Sequence, residues 1–167
     1  MRTRGSSDRT TPALAAALVL LLAACGERAV EAAPPEGLDD SADWVTERSH
    51  TGARVAHGRV VDGLREGPWV MWYEDGALRW EGEYRAGVLE GPERGWRPGG
   101  ALWFEGERRN GLREGLQRSW YENGALEWEA HYVADQRHGP CKRFDIDGRL
   151  DARQSGIYEA GERVRGL

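Results

Sequence analysis

The feature that most constrains this chain is a period of 24 residues. Gly63 to Ala86 and Gly111 to Ala134 agree at fifteen of twenty-four positions. The same step carries Gly67 to Gly91, Gly115 and Gly139, and Gly76 to Gly100, Gly124 and Gly148. It also carries Leu78 to Leu102, Leu126 and Leu150, and Trp72 to Trp96, Trp120 and Phe144. A fixed period of this length marks a repeat architecture, in which each unit is stable only against its neighbours. Four units follow: Gly63 to Ala86, Gly87 to Asn110, Gly111 to Ala134 and Asp135 to Ala160, the last with two extra residues near Ala152 to Ser155.

Within a unit the pattern is that of strands. Leu78, Trp80, Gly82 and Tyr84 alternate with Arg79, Glu81, Glu83 and Arg85, so period two gives one apolar and one charged face, where a helix would space apolar residues by three and four. Leu126, Trp128 and Tyr132 repeat the pattern. The first half, Trp69 to Tyr73, is a short run of β-formers. Asp75-Gly76, Gly99-Gly100, Asn123-Gly124 and Asp147-Gly148 separate the halves, and glycine accepts the positive φ of a hairpin turn without steric cost. A three-residue loop, Glu74-Asp75-Gly76, sets Trp72 opposite Leu78, which are the recurrent positions. That register predicts Trp72 and Val70 on one face with Leu78 and Trp80. The link between hairpins, Arg85 to Gly91 or Val133 to Gly139, reads as a longer polar turn.

The expected fold is therefore all-β, an array of stacked antiparallel hairpins over residues 63–167. Residues 44–62, with Gly52, Gly58 and Gly63 in step with Gly76, Gly82 and Gly87, read as a worn half-repeat that caps the array. Each buried aromatic removes ~150 to 250 Å² from water, worth about 4 to 6 kcal/mol before entropy at ~25 cal/mol/Å². With eight Trp and five Tyr against two Phe and two Met, the aromatic rows supply the apolar area.

Composition and motifs also exclude functions. The net charge is −5 and the arginines are scattered, whereas nucleic-acid binding needs cations gathered on one face. His50, His57, His131 and His138 fall in no metal spacing. Glu66, Glu90 and Glu114 recur beside the turns in identical context, the pattern of a solvated structural position. No phosphate-cradling loop or nucleophile elbow is present, and no cofactor or enzyme activity is expected. Cys141 stands where the first repeat has Trp69, and reads as a small apolar filler; His138 beside it does not make a catalytic pair.

The N-terminus carries an address. Arg2, Arg4 and Arg9 precede an apolar run from Ala13 to Ala24, about 18 Å of helix at ~1.5 Å per residue and too short for a ~30 Å bilayer core. Residues 1–24 read as a signal peptide. The run ends in Leu22-Ala23-Ala24-Cys25, which resembles a bacterial lipobox. The resemblance implies cleavage before Cys25 and acylation of its thiol. Gly26 follows, not the Asp that retains many such lipoproteins at an inner membrane, which implies the outer membrane where there are two. Residues 25–43 form a tether rich in acids and Pro34-Pro35, unable to bury enough apolar surface to offset chain entropy. Without residues 1–24, which hold three Arg and one Asp, the charge is −7. Anionic lipid repels such a chain, so membrane attachment is expected through acylated Cys25.

The recurring Gly-x-x-x-Gly, aromatic pair, Asn or Asp-Gly, Leu, then Glu and Tyr resembles the MORN-repeat variant of bacterial YwqK-type, antitoxin-labelled proteins. Gly67, Trp72, Tyr73, Gly76, Leu78, Glu81 and Tyr84 carry it, with their equivalents in later repeats. Repeat two departs with Arg97 for the second aromatic and Arg108 for the final Tyr, and repeat four has Ala152 for Trp80. The resemblance implies an elongated, twisted, single-layer antiparallel sheet of stacked hairpins used for binding or scaffolding, and with the anchor it gives a non-enzymatic surface at the cell envelope. Exposed Trp69 and Trp103 would form its contact patch for a protein partner or, as second choice, a glycan. The family label alone raises the alternative of an envelope-side toxin-neutralising protein.

Overall fold

The computed structural model describes residues 43–167. The expected signal peptide of residues 1–24, the expected acylation site Cys25 and the expected tether up to residue 42 lie outside the described residues. The strands are β1 (Trp44–Arg48), β2 (Arg54–Val61), β3 (Leu64–Trp72), β4 (Leu78–Arg85), β5 (Val88–Trp96), β6 (Leu102–Arg109), β7 (Leu112–Trp120), β8 (Leu126–Val133), β9 (Gln136–Arg143), β10 (Gly156–Glu159) and β11 (Glu162–Arg165). They form one antiparallel sheet in chain order, with β1 and β11 at open edges. Among the described residues there is no helix long and apolar enough to cross a membrane.

The loop within each hairpin has the expected three residues. Gly76, at φ 88°, donates its N–H to the Tyr73 carbonyl at 3.0 Å, while the Tyr73 N–H reaches the Ala77 carbonyl at 2.8 Å. The Asp75 carboxylate takes the Ala77 N–H at 2.9 Å. Trp72 consequently faces Leu78, Trp96 faces Leu102, Trp120 faces Leu126 and Phe144 faces Leu150.

One step beyond that pair the expected face assignment fails. A bulge at Arg79 shifts the register so that Trp80 pairs with Met71. The extra residue turns Trp80 to the other side of the sheet, where it lies with Trp69 and Tyr84, while Trp72, Val70 and Leu78 stay behind. A second correction concerns the link between hairpins. It is a two-residue turn: Arg85 pairs with Val88, and Ala86 and Gly87 both have positive φ, 47° and 80°. Asn110-Gly111, with φ 51° and 81°, forms the same turn and is the dipeptide that signals it, while Ala86 stands in the equivalent place after the first repeat. The strained alanine is held from the start of its own repeat, because its N–H donates to Glu66 Oε2 at 2.7 Å. Glu90 holds Asn110 at 2.7 Å and Glu114 holds Ala134 at 3.1 Å. These recurrent glutamates are turn caps that tie the first strand of each repeat to the turn that closes it.

The ends differ from the middle. Residues 44–62, expected as a half-repeat, form the complete β1–β2 hairpin, and the Ser49 to Gly52 turn has the same hydrogen bonds as the later loops. Repeat four loses part of a strand to a turn at Asp151 to Gln154, where Asp151 Oδ1 takes the Arg153 N–H at 2.9 Å. Its two extra residues loosen the strand, as the sequence implied.

The core is a line of residues across the sheet. Gly58, Trp69, Gly82, Glu93 and Gly106 pair in succession on one face. Gln117, Ala130, Cys141 and Gly156 continue the line. All nine are buried. A single layer can bury them because small residues alternate with larger ones that lie flat across them. A methyl group on Gly58 would enter the Trp69 ring, and one on Gly106 would enter the Gln117 amide.

Candidate functional site

The two faces differ in chemistry. On one, Glu81, Arg94, Glu105, Arg118, Glu129 and Lys142 pair directly across successive strands. Ion pairs of 3.6 Å, 3.7 Å, 3.3 Å, 3.6 Å and 2.8 Å join each to the next. The Lys142 ammonium, with Arg118 beside it, holds the Glu129 carboxyl below the usual carboxylate range. The Trp72, Trp96, Trp120, Phe144 row and its leucines flank this ladder on the side of the three-residue loops. We call this the ladder face.

The opposite face, the groove face, carries the line of nine buried residues and the aromatics Trp80, Phe104, Trp128, Tyr84 and Tyr132. Tyr84 meets Trp69 and Trp80 edge-on, each at 6.1 Å between ring centroids. Arg65 lies 4.1 Å over the Trp69 ring and Arg113 the same distance over Tyr132. Arg113 also donates to Asp135 at 2.7 Å, and this bond holds the Asp135 carboxyl below its ordinary range.

Repeat two puts ions where its neighbours put rings. Glu93, at the Trp69 position, is 4% exposed. Its Oε1 accepts from Arg108 Nε at 2.6 Å and its Oε2 from Trp80 Nε1 at 3.4 Å. Trp69 and Gln117, one repeat away on either side, instead donate to the carbonyls of Arg59 and Glu107, both at 3.0 Å. Cys141 occupies the fourth such position; burial pushes its thiol pKa up, opposite to what a nucleophile needs. His138 is exposed. Among the described residues no group of three His, Cys, Asp or Glu is placed to hold a metal ion.

The structure separates the two tryptophans expected to form one contact patch. Trp69 is 1% exposed and belongs to the core line, whereas Trp103 is 46% exposed. Pairing explains the difference: Trp69 lies between Gly58 and Gly82, so its ring has bare backbone to rest on. Trp103 sits at the bulge position, stands edge-on to Phe104 at 5.5 Å and has the Arg97 guanidinium 5.2 Å over its ring. The Trp103 and Phe104 pair forms a ridge shared by two open hollows. One, about 420 Å³, includes Met71, Tyr73, Arg79, Trp80 and Tyr84. The other, about 300 Å³, includes Glu93, Arg108, Gln117, Ser119 and Trp128.

Arg79 and Arg97 flank this ridge, and sequence reasoning did not assign them a role. Arg79 reaches the Met71 sulfur at 3.6 Å, and Arg97 Nη2 donates to the Trp120 carbonyl at 3.1 Å. Arg97 Nε is buried without a hydrogen-bond partner. The signal was the departure from the repeat itself: Arg97 replaces Tyr73 and Tyr121, and Trp103 replaces Arg79 and Glu127.

The chain matches no protein-family model, and no curated protein matches it.

Proposed function

We propose that the chain is a bacterial lipoprotein, acylated at Cys25 and held at the cell envelope, at the outer membrane where there are two. Its MORN-like repeat sheet is a non-enzymatic surface that binds a protein partner. The groove face is that surface. The observation that carries this reading is Trp103, a large aromatic left 46% exposed on a ridge between two hollows. Exposed aromatics of this kind, flanked by arginine, are what interface cores are enriched in. On the ladder face, by contrast, the charges satisfy one another in pairs.

The binding claim is tested by placing a photocrosslinking residue at position 103 or at position 83, beside the ladder, in the membrane-bound protein. A discrete protein adduct at 103 and none at 83 is expected. Adducts at neither position, or only at 83, would overturn the assignment of the groove face. The anchoring claim is tested by membrane fractionation and lipid labelling of the wild type against Cys25→Ala. Lipid-free, soluble wild-type protein would overturn it.

A further inference from the structure

This inference rests on the proposed binding role of the groove face and concerns what that face accepts. The two hollows repeat along the array. The first lies between Trp80 and Phe104, the second between Phe104 and Trp128, and these aromatics are equivalent positions of successive repeats. One repeat spans two strands, so successive hollows are ~9.4 to 9.8 Å apart at ~4.7 to 4.9 Å per strand. A polyproline II helix advances ~3.1 Å per residue and turns once in three residues, which is ~9.3 Å per turn. A peptide in that conformation, laid across the strands, presents every third residue to the same hollow of each repeat. Its stiffness also lowers the entropy lost on binding, and aromatic-lined grooves are the recognised seat of such helices.

Charge selects among peptides. Although the chain as a whole is acidic, at −5, the ridge between the hollows is cationic. Glu93 is committed to Arg108 at 2.6 Å, and Glu127 to Arg143 at 2.9 Å and to the Ser119 hydroxyl at 3.2 Å. Arg79 and Arg97, beside Trp103, form no ion pair among the described residues. The acids of the face are spent and two cations are left over. A carboxylate brought by a ligand would find them at the ridge.

We infer that the groove face binds a proline-rich acidic segment of a partner protein in the polyproline II conformation, seated across the Trp103 ridge with its carboxylates on Arg79 and Arg97. The test titrates the full-length protein in detergent with four synthetic probes, followed by tryptophan fluorescence and calorimetry. They are (Pro-Pro-Glu)4, (Pro-Pro-Lys)4, (Gly-Ser-Glu)4 and an oligogalacturonate of equal charge. Binding of (Pro-Pro-Glu)4 at least ten-fold tighter than of the other three is expected. Trp103→Ala and Arg79→Glu should each weaken it ten-fold or more, while circular dichroism shows the fold retained. Equal binding of (Gly-Ser-Glu)4 would reduce the effect to charge alone and overturn the inference. Tighter binding of the oligogalacturonate would overturn it in favour of an acidic glycan. No binding of any probe, or binding that survives Trp103→Ala, would also overturn it. If photocrosslinking at 103 recovers a partner without such a segment, this inference fails and the binding role stands.

Discussion

The ladder face and the groove face bury side chains by different means. On the ladder face, charges of opposite sign alternate from strand to strand. Each ion pair is partly exposed to solvent, and such pairs contribute little to stability. On the groove face, rings and an amide lie flat on bare backbone, and an ion pair sits among them. A single-layer sheet has no second layer to close its core, and this chain supplies the missing cover by laying large side chains across its own glycines. The difference teaches where stability lies and where it does not. Substitutions along the buried line should act through packing, as would loss of buried Trp72 beside the ladder, whereas substitutions of the ladder charges should act through weak, screened charge.

The largest effect is expected at Trp69. Trp69→Ala removes the most buried ring of the array and should cost about 3 to 5 kcal/mol, whereas Trp103→Ala, 46% exposed, should cost under about 1 kcal/mol. Urea unfolding followed by circular dichroism measures both. Equal costs would erase the distinction between the core line and the ridge. Next comes Gly82→Ala. Its new methyl would strike the outer atoms of the Trp80 ring, the nearest 2.5 Å away, and forced overpacking of this kind costs about 1 to 3 kcal/mol. A neutral result would mean that Trp80 can swing clear.

Glu93→Ala strips the partner from Arg108 and should cost about 1.5 to 3 kcal/mol, the worth of a hydrogen bond to a charged group. The double variant Glu93→Trp with Arg108→Tyr restores the residues found at Trp69 and Tyr84, and should recover most of the loss, since buried ion pairs are replaceable by packed apolar groups. Failure to recover would assign the pair a role that the aromatic repeats cannot fill.

The smallest effect belongs to the ladder face. The Glu129 carboxyl is held low by Lys142 and Arg118, so the folded protein binds its proton less readily than the unfolded chain. That contribution is complete above the unfolded value of about 4.3 and is lost as pH falls through the folded value. Stability measured at pH 7 and pH 5 should therefore agree as far as this group is concerned, and Glu129→Gln should reduce the further loss below about pH 4. With Glu129 partly exposed to solvent, the change should stay below about 1 kcal/mol. A larger one would mean that the ladder is far better shielded than its exposure implies.

Much of this fold was legible in the 24-residue period, because turn chemistry and strand pattern recur together. Gly76 and its equivalents fixed the three-residue loop, and with it the facing of Trp72 and Leu78. The side of Trp80 was not legible, since a bulge at Arg79 reverses every residue beyond it while leaving the alternation intact. The tight turn between hairpins was legible at Asp62-Gly63 and Asn110-Gly111, and hidden at Ala86-Gly87, whose alanine is held by Glu66, twenty residues earlier. The buried line was the hardest to see. Its large members, Trp69, Glu93, Gln117 and Cys141, share no chemistry, and what they share is the small residue beside them. For the same reason Trp69 looked like a spare aromatic, and only the pairing with Gly58 and Gly82 reveals it as core.

The most direct test of two unlike faces in a single-layer sheet is hydroxyl-radical footprinting of the folded protein, read ring by ring. Rapid oxidation of Trp103 is expected, with Trp69 protected until the protein is unfolded. Oxidation of Trp69 as fast as that of Trp103 in the folded protein would contradict the core line on which the account depends.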